Sequence, residues 1–140
     1  MIQQGLTTSF KQEILQGTQS LGTGDLKIAL YTALADIGPN TTAYTTSNEV
    51  VGTGYTAGGV LLTGLTITAD TTTGTAYANF SNASWPGADF VARGALIYNA
   101  TQDNRSIAVL DFGSDKLFTS ANNTVTMPAN TATTALIRLP

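Results

Sequence analysis

From position 25 onward, the apolar residues of the chain fall into short runs separated by polar, turn-forming segments. The runs are rich in β-branched and aromatic residues, and no helical pattern alternates with them, which predicts strands joined by turns. The predicted strands are residues 26–32, 60–68, 75–80, 94–99, 106–113, 124–127 and 135–139. A series of this kind predicts a mainly β protein, a single-domain β-sandwich or barrel over residues 25–140.

Two pairs of these runs have the form of β-hairpins. The clearer pair is GALIYN and SIAVLDFG, which flank the polar loop ATQDNR, so we expect residues 95–98 and 107–110 in the core. The other pair is residues 60–68 and 75–80, with a turn near Thr72 to Gly74.

Only the N-terminal segment, residues 1–24, has a helical pattern. Phe10, Ile14 and Leu15 recur on one face of a short predicted helix, and Gly17 can end it. Thr8 or Ser9 can cap its start. Because so short a helix is marginal alone, this N-terminal arm needs a partner surface in its own domain or in another subunit.

Four glycines in eight residues, GTGYTAGG at positions 52–59, suggest a phosphate-binding loop. Such a loop leads into a helix and carries a lysine and a Ser/Thr after its last glycine. Here a predicted strand comes next, and the nearest lysines are Lys27 and Lys116. The dinucleotide-binding fingerprint also needs another spacing and a helix after it. The glycines are therefore expected to serve bulges, bends or close backbone approaches.

Composition restricts function mainly through charge. Only 11% of the 140 residues are charged, the net charge is −3, and the six basic residues are scattered, so no nucleic-acid partner is expected. No apolar run resembles a signal peptide or is long enough to cross a bilayer, so we expect no membrane association. A surface of small neutral residues suits a protein that packs against neighbours.

The chain contains no histidine and no cysteine, which removes most nucleophilic, general-base and transition-metal chemistry. Its nine acidic residues stand singly, which disfavours a glycosidase pair or a calcium loop. A DFG triplet at 111–113 lacks the other kinase motifs, so Asp111 is expected as a turn residue that ends its strand. We therefore expect no enzyme activity, no cofactor and no metal site.

The most distinctive segment is NASWPGADFVARGALIYN, residues 82–99. Trp85 opens a Trp-Pro-Gly turn and is expected in the core, with a sugar-stacking role as the less favoured alternative. Arg93 is a lone cation that can pair with Asp89 or Asp111, or can face a partner subunit.

Four segments together resemble a family of small virion structural proteins of tailed bacteriophages. They are FKQEILQG, LKIALYT, TTAYTTSNEVVGTGYTAGG and ARGALIYN…SIAVLDFG, and the likeness extends from Phe10 to about Leu136. The resemblance implies a non-enzymatic capsid decoration (cement) protein, a homo-oligomer made in the host cytoplasm that binds the phage major capsid protein on the capsid surface of the virion. The candidate partner-binding residues are Ile2, Phe10, Ile14, Leu15, Trp85 and Arg93.

Two other functions stay open on the sequence alone. One is another virion role, as a head–tail joining, tail or fibre-base protein, which would differ from a decoration protein in copy number. The other is a carbohydrate-binding adhesin. Its stacking platforms would be Trp85, Tyr44, Tyr55 and Tyr98. Under the decoration hypothesis, deletion of residues 1–16 is expected to leave a folded domain that no longer binds the capsid.

Overall fold

The computed structural model describes residues 1–140, which form ten β-strands and one α-helix. In chain order the elements are β1 (Gly5–Leu6), α1 (Thr8–Gln16), β2 (Leu26–Tyr31), β3 (Val60–Leu61), β4 (Thr66–Asp70), β5 (Thr75–Asn79), β6 (Ala83–Ser84), β7 (Phe90–Asn99), β8 (Arg105–Phe118), β9 (Thr124–Val125) and β10 (Ile137–Leu139). The prediction of a mainly β single domain is confirmed, and the sheets do not close into a barrel.

Every strand pairing is antiparallel, and the strands form three sheets. The main sheet has the order β1-β8-β7-β2-β3, a smaller sheet has the order β10-β5-β4, and β6 pairs with β9. In the small sheet, β4 is an edge strand, and its side away from β5 has no neighbouring strand.

The β7–β8 hairpin is the centre of the main sheet, and its predicted place in the core is confirmed except at Leu110, which is half-buried. Leu96 lies opposite Val109, and Ile97 lies opposite Ala108. Because consecutive strand residues point to opposite faces, Leu96 and Ile97 enter two different apolar clusters. The main sheet is thus covered on both faces, and this explains why the sequence shows continuous apolar runs here rather than alternation.

The larger cluster joins all three sheets. It contains Ile28 and Ile97 from the main sheet, Ala78 and Ile137 from the small sheet, and Val125 from β9. The sheets therefore pack across one shared core, as the layers of a β-sandwich do. The smaller cluster covers the opposite face of the main sheet with N-terminal residues and the segment after β2.

Residues 1–24, which were expected to form an arm, lie against the main sheet. Ile2 forms a β-bridge to Ile37 in the segment after β2. β1 pairs with the edge of β8, with Gly5 opposite Val109. These backbone contacts make the N-terminal segment a part of the packed domain.

Helix α1 comes directly after β1, and the structure corrects its predicted start. Its N-cap is Thr7, whose hydroxyl oxygen accepts a hydrogen bond from the Phe10 N–H at 3.3 Å. Gly17 ends the helix in the left-handed region with φ of 71°, as predicted. The helix packs against β8 and places Phe10, which is 0% exposed, in the larger cluster.

Several predicted strands differ in their bounds from the structure, and two differences matter most. Residues 60–68 form two short strands, β3 and β4, separated by the irregular residues 62–65, where Gly64 has φ of +67°. This left-handed backbone favours glycine, and a Cβ there would also lie 2.0 Å from the Ser81 Oγ. Asp111 does not end its strand, since β8 continues past an irregularity opposite Arg93 as far as Phe118.

Candidate interaction surface

The structure separates the six candidate partner-binding residues of the sequence analysis. Phe10 and Trp85 are buried at 0% and 1% exposure, and Ile2 is buried as well. Ile14 is half-buried, whereas Leu15, the next residue on the helix, is 89% exposed. A helix turns through about 100° per residue, so these two neighbours face different surroundings. The six residues do not form one surface.

Trp85 takes the core position that was the favoured prediction. Its ring makes an edge-on contact with Phe118 at 5.7 Å between ring centroids. Phe118 in turn stacks on Phe90 at 4.9 Å. Arg93 forms an ion pair with Asp111, with 3.7 Å between Nε and Oδ1. Asp111 was one of its two predicted partners.

The glycine-rich segment, residues 52–59, is a structural loop held against the main sheet, as predicted. A Cβ at Gly59 would lie 1.8 Å from the Ile28 carbonyl oxygen, so the loop backbone touches the backbone of β2 directly. A Cβ at Gly54 would lie 2.6 Å from the Gly87 carbonyl oxygen. Both glycines also have positive φ, so two independent constraints require glycine at each position.

A buried carboxylate, Glu49, fastens this loop. Its Oε1 accepts hydrogen bonds from the Tyr55 hydroxyl at 2.6 Å and from the Gly58 N–H at 2.8 Å. Its Oε2 accepts a third from the Tyr44 hydroxyl at 2.6 Å. The Tyr55 oxygen also accepts from the Leu30 N–H of β2 at 2.9 Å, which links the loop to the sheet. Three donors offset the desolvation of the charge.

The tyrosines around Glu49 are held in their protonated form. Burial raises the pKa of Tyr55, and its hydrogen bond to Glu49 raises it further. The same two causes raise the pKa of Tyr44. Burial also raises the pKa of Tyr31, whose hydroxyl donates to the Thr45 carbonyl oxygen at 2.6 Å. The cluster is a network of neutral phenols around one carboxylate and stabilises the loop.

The same contacts do not support the adhesin alternative. Trp85 and Tyr98 are buried, and the Tyr98 ring stacks on Tyr44 at 4.8 Å between centroids. The hydroxyls of Tyr44 and Tyr55 are bonded to Glu49. A sugar-stacking platform needs exposed ring faces, whereas these aromatic residues pack on one another and on the sheet.

An exposed apolar surface lies on the small sheet, which the sequence analysis did not select. One face of this sheet consists of two rows of paired residues. The rows are Ile67–Ala78–Ile137 and Ala69–Ala76–Leu139. All six are apolar, but only Ala78 and Ile137 are buried. Ile67 is 61% exposed and Leu139 is 44% exposed.

This face enters the larger cluster at Ala78 and Ile137, and we call its exposed part, which lies outside that cluster, the outer apolar face. Its four residues are Ile67, Ala69, Ala76 and Leu139. Scattered apolar residues are normal on a protein surface, whereas a contiguous apolar patch is typical of a contact site. The opposite face of the same sheet carries Thr68, Tyr77 and Arg138.

A signal for this surface is present in the sequence. In β4 the apolar residues Ile67 and Ala69 alternate with Thr66, Thr68 and Asp70, which is the pattern of a strand with one apolar face. The pattern does not reveal whether that face is covered. Coverage depends on how β10 returns to the small sheet from the C-terminal end of the chain, and this is a tertiary contact.

Helix α1 has nine residues, and the structure contains no helix with the length and apolar character needed to cross a membrane.

Comparison of the chain with protein-family models, with curated proteins and with solved structures gives no match. A proposal of function therefore depends on the surface of this chain and on the expectations drawn from its sequence.

Proposed function

We propose that the protein is a non-enzymatic structural component of a tailed-phage virion, and specifically a capsid decoration protein. In this role it binds the major capsid protein on the outside of the head and acts as a homo-oligomer. The observation that carries the proposal is the outer apolar face, a contiguous apolar surface on a three-stranded sheet with an unpaired edge.

The outer apolar face has the composition of an interface core. Interface cores are depleted of charged residues and enriched in apolar ones. The four residues of this face carry no charge, and the charged residues beside them on their strands, Asp70 and Arg138, point to the other face. Burial of Ile67 and Leu139 against a partner would contribute the usual apolar transfer energy of about 25 cal/mol per Å².

The low overall charge also supports an assembly role. Only 11% of residues are charged, so a subunit can be covered on several sides while few ions lose their water. A second exposed apolar pair lies elsewhere, on the main sheet. Val91 of β7 lies opposite Leu117 of β8, and they are 45% and 55% exposed. A protein in a lattice needs contacts on more than one side, and this pair supplies another.

The test is co-sedimentation of the purified protein with expanded phage heads that lack it. The expected result is saturable binding at a copy number comparable to that of the capsid subunits. Saturation at the few copies of a single vertex would favour head–tail joining instead. Absence of binding to heads, together with binding to purified tails, would favour a tail or fibre-base role.

A matched pair of variants makes this test specific to the surface. Leu139→Glu places a charge on the outer apolar face, and Leu34→Glu makes the same change at a residue that is 79% exposed in the segment after β2. We expect Leu139→Glu to weaken head binding about tenfold or more, because burial of one such side chain contributes about 1.5–3 kcal/mol. Leu34→Glu is expected to bind as the unaltered protein does. Equal affinity of both variants would contradict the assignment of this face.

A further inference from the structure

β4 is an unprotected sheet edge. It pairs with β5 on one side only, and four of its five residues are exposed while Asp70 is half-buried. Proteins usually protect such edges with lysine, proline, a bulge or a covering loop. β4 has no lysine or proline, its one charged residue is Asp70 at its C-terminal end, and its pairing with β5 runs without a break from Thr66 to Asp70. Alternate backbone groups of β4 therefore point outward and can accept another strand.

We infer that the occupant of this edge is β4 of a second copy of the chain, paired antiparallel across a two-fold axis at Thr68. In this register all five residues of β4 find a partner. Thr68 faces Thr68 of the second copy, Ile67 faces Ala69, and Thr66 faces Asp70. An axis at the strand's own centre gives the isologous contact that most homodimers use.

Side-chain chemistry favours this register. Residues directly opposite in an antiparallel pair share a face, so Ile67 and Ala69 of the two copies form one apolar group. The threonines and Asp70 meet on the other face. A shift by one residue would place apolar side chains opposite polar ones, and register is strongly specified where the faces differ.

The charge of Asp70 also selects the antiparallel arrangement. An in-register parallel pair would place Asp70 opposite Asp70, and like charges opposite each other destabilise a strand pair. In the antiparallel register Asp70 faces a threonine hydroxyl. The Thr66 Oγ1 accepts a hydrogen bond from Asn130 Nδ2 at 3.0 Å, so the Thr66 hydroxyl proton stays available for the carboxylate of the second copy.

Asp70 is suited to accept that proton. Its Oδ1 accepts the backbone N–H groups of Thr72 at 2.9 Å and Thr73 at 3.3 Å. The hydrogen bond from the Thr72 N–H, followed by those from the Thr73 hydroxyl and N–H, lowers the pKa of Asp70, so the side chain is an ionised acceptor at neutral pH. The second oxygen, Oδ2, accepts neither of these backbone N–H groups, and a carboxylate has about four lone-pair sites, so it can also accept the Thr66 hydroxyl. Charge and hydrogen-bonding groups thus match across the axis.

The pairing would join the two small sheets into one six-stranded sheet, β10-β5-β4-β4-β5-β10. A two-fold axis perpendicular to the sheet leaves both outer apolar faces on the same side. The dimer would therefore present a doubled apolar surface to a partner. That last step rests on the proposed function, whereas the dimer itself does not.

The dimer is tested by sedimentation velocity over a range of protein concentrations. The unaltered chain is expected to reach twice its monomer mass of 14.5 kDa as the concentration rises. Thr68→Lys places like charges opposite each other at the axis and should raise the dissociation constant at least tenfold. Thr23→Lys makes the same change at an exposed threonine in the loop between α1 and β2 and should leave it unchanged.

Charge complementation then tests the register itself. Thr68→Glu alone should raise the dissociation constant as Thr68→Lys does, whereas an equimolar mixture of Thr68→Lys and Thr68→Glu should recover the dimer. Since the chain has no cysteine, Thr68→Cys supplies a second readout. Side chains opposite each other in an antiparallel pair are close enough for a disulfide. Oxidation should cross-link Thr68→Cys into dimers and leave Thr23→Cys monomeric.

The outcomes separate this inference from the proposed function. A chain that stays monomeric at every concentration, or a Thr68→Lys variant that dimerises as the unaltered chain does, overturns the β4 dimer. A heterologous strand as the natural occupant would give that first result. A dimer that responds to the Thr68 variants as expected but does not co-sediment with heads supports this inference and contradicts the capsid role alone.

Discussion

Tyr55 and Glu49 are joined by a 2.6 Å hydrogen bond in which the tyrosine hydroxyl donates to Oε1 of a buried carboxylate. Glu49 comes before the glycine-rich segment and Tyr55 lies within it, so the bond fastens the first half of this segment. The Tyr55 oxygen also accepts a hydrogen bond from the Leu30 N–H of β2. The short strand β3 pairs only with Lys27 and Ile28 of β2, so it supplies no acceptor for this N–H. One pair of side chains thus completes the edge of β2 and fixes a loop without regular structure.

The first prediction concerns this carboxylate. Glu49→Leu keeps a side chain of similar size but removes the acceptor for Tyr44, Tyr55 and the Gly58 N–H. We expect the free energy of unfolding to fall by at least about 3 kcal/mol, because each donor left without an acceptor costs about 1–3 kcal/mol. Urea unfolding monitored by tryptophan fluorescence measures the change.

The control for Glu49 is Asp36→Leu. Asp36 is 96% exposed and lies 3.6 Å from the N-terminal ammonium group, an exposed ion pair that contributes at most about 1 kcal/mol. If both variants lose the same small amount of stability, the Glu49 network does not hold the loop.

Alkaline pH should weaken the fold through the tyrosines. Burial raises the pKa of Tyr31 and Tyr55 above that of a free tyrosine. Above a pH of about 10 the unfolded chain therefore releases protons that the folded chain retains. The contribution of the two tyrosines to the free energy of unfolding is complete below that pH. It is lost as the pH rises toward their pKa values in the folded protein, by at most about 1.4 kcal/mol per pH unit for each tyrosine.

This prediction is measured by urea unfolding at a series of alkaline pH values. Tyr55→Phe should give a shallower decline, because one ionisable phenol is gone from both states. The tyrosinate absorbance of the folded protein should also rise later than that of the urea-unfolded protein. Coincident titration of the two states would contradict the buried positions.

The glycine-rich loop gives a prediction with an internal control. Gly59→Ala and Gly74→Ala both place a side chain at positive φ, at +78° and +71°. Only at Gly59 does the new Cβ meet backbone, 1.8 Å from the Ile28 oxygen, since no heavy atom lies within 4 Å of a Cβ at Gly74. Gly74→Ala should cost about 1–2 kcal/mol from backbone conformation alone. Gly59→Ala should lower the free energy of unfolding by clearly more, and thermal unfolding of the two variants measures the difference. Equal losses would mean that the loop moves aside to make room for the new Cβ.

The central hairpin supplies a packing prediction. Leu96 is 0% exposed and lies between Ala29 of β2 and Val109 of β8, whereas Leu117 of the same hairpin is 55% exposed. Leu96→Ala should lower the free energy of unfolding by about 2–5 kcal/mol through lost transfer energy and a cavity. Leu117→Ala should change it by less than about 0.5 kcal/mol. Equal effects in denaturant unfolding would mean that the hairpin is not the core of the sheet.

The hairpin was predictable from sequence because its signal is local. Two apolar runs joined by a short polar loop need no information about distant segments. The same holds for the Gly17 helix end and for the structural role of Gly59, since that glycine leads into a strand rather than a helix. Features encoded in one continuous stretch of about twenty residues or fewer could therefore be predicted.

The surface was not predictable in this way, because exposure depends on which segments meet. Ile67 and Ala78 lie opposite each other in one apolar row, yet the first is exposed and the second is buried. Phe10 and Leu15 belong to one apolar helix pattern, yet only Phe10 reaches the core. The pattern identifies apolar residues, and the long-range pairing of β1, β8 and β10 decides which of them are covered.

That difference changes the expectation for the N-terminal segment. Deletion of residues 1–16 removes β1, the Phe10 side chain and the Ile2 bridge to Ile37, so it should strongly destabilise the domain rather than release an arm. Phe10→Ala alone should cost about 3–5 kcal/mol because it empties a fully buried position. Leu15→Ala, at a residue that is 89% exposed, should leave stability unchanged. Circular dichroism and denaturant unfolding measure all three, and a truncated chain that unfolds at the midpoint of the full chain would restore the arm.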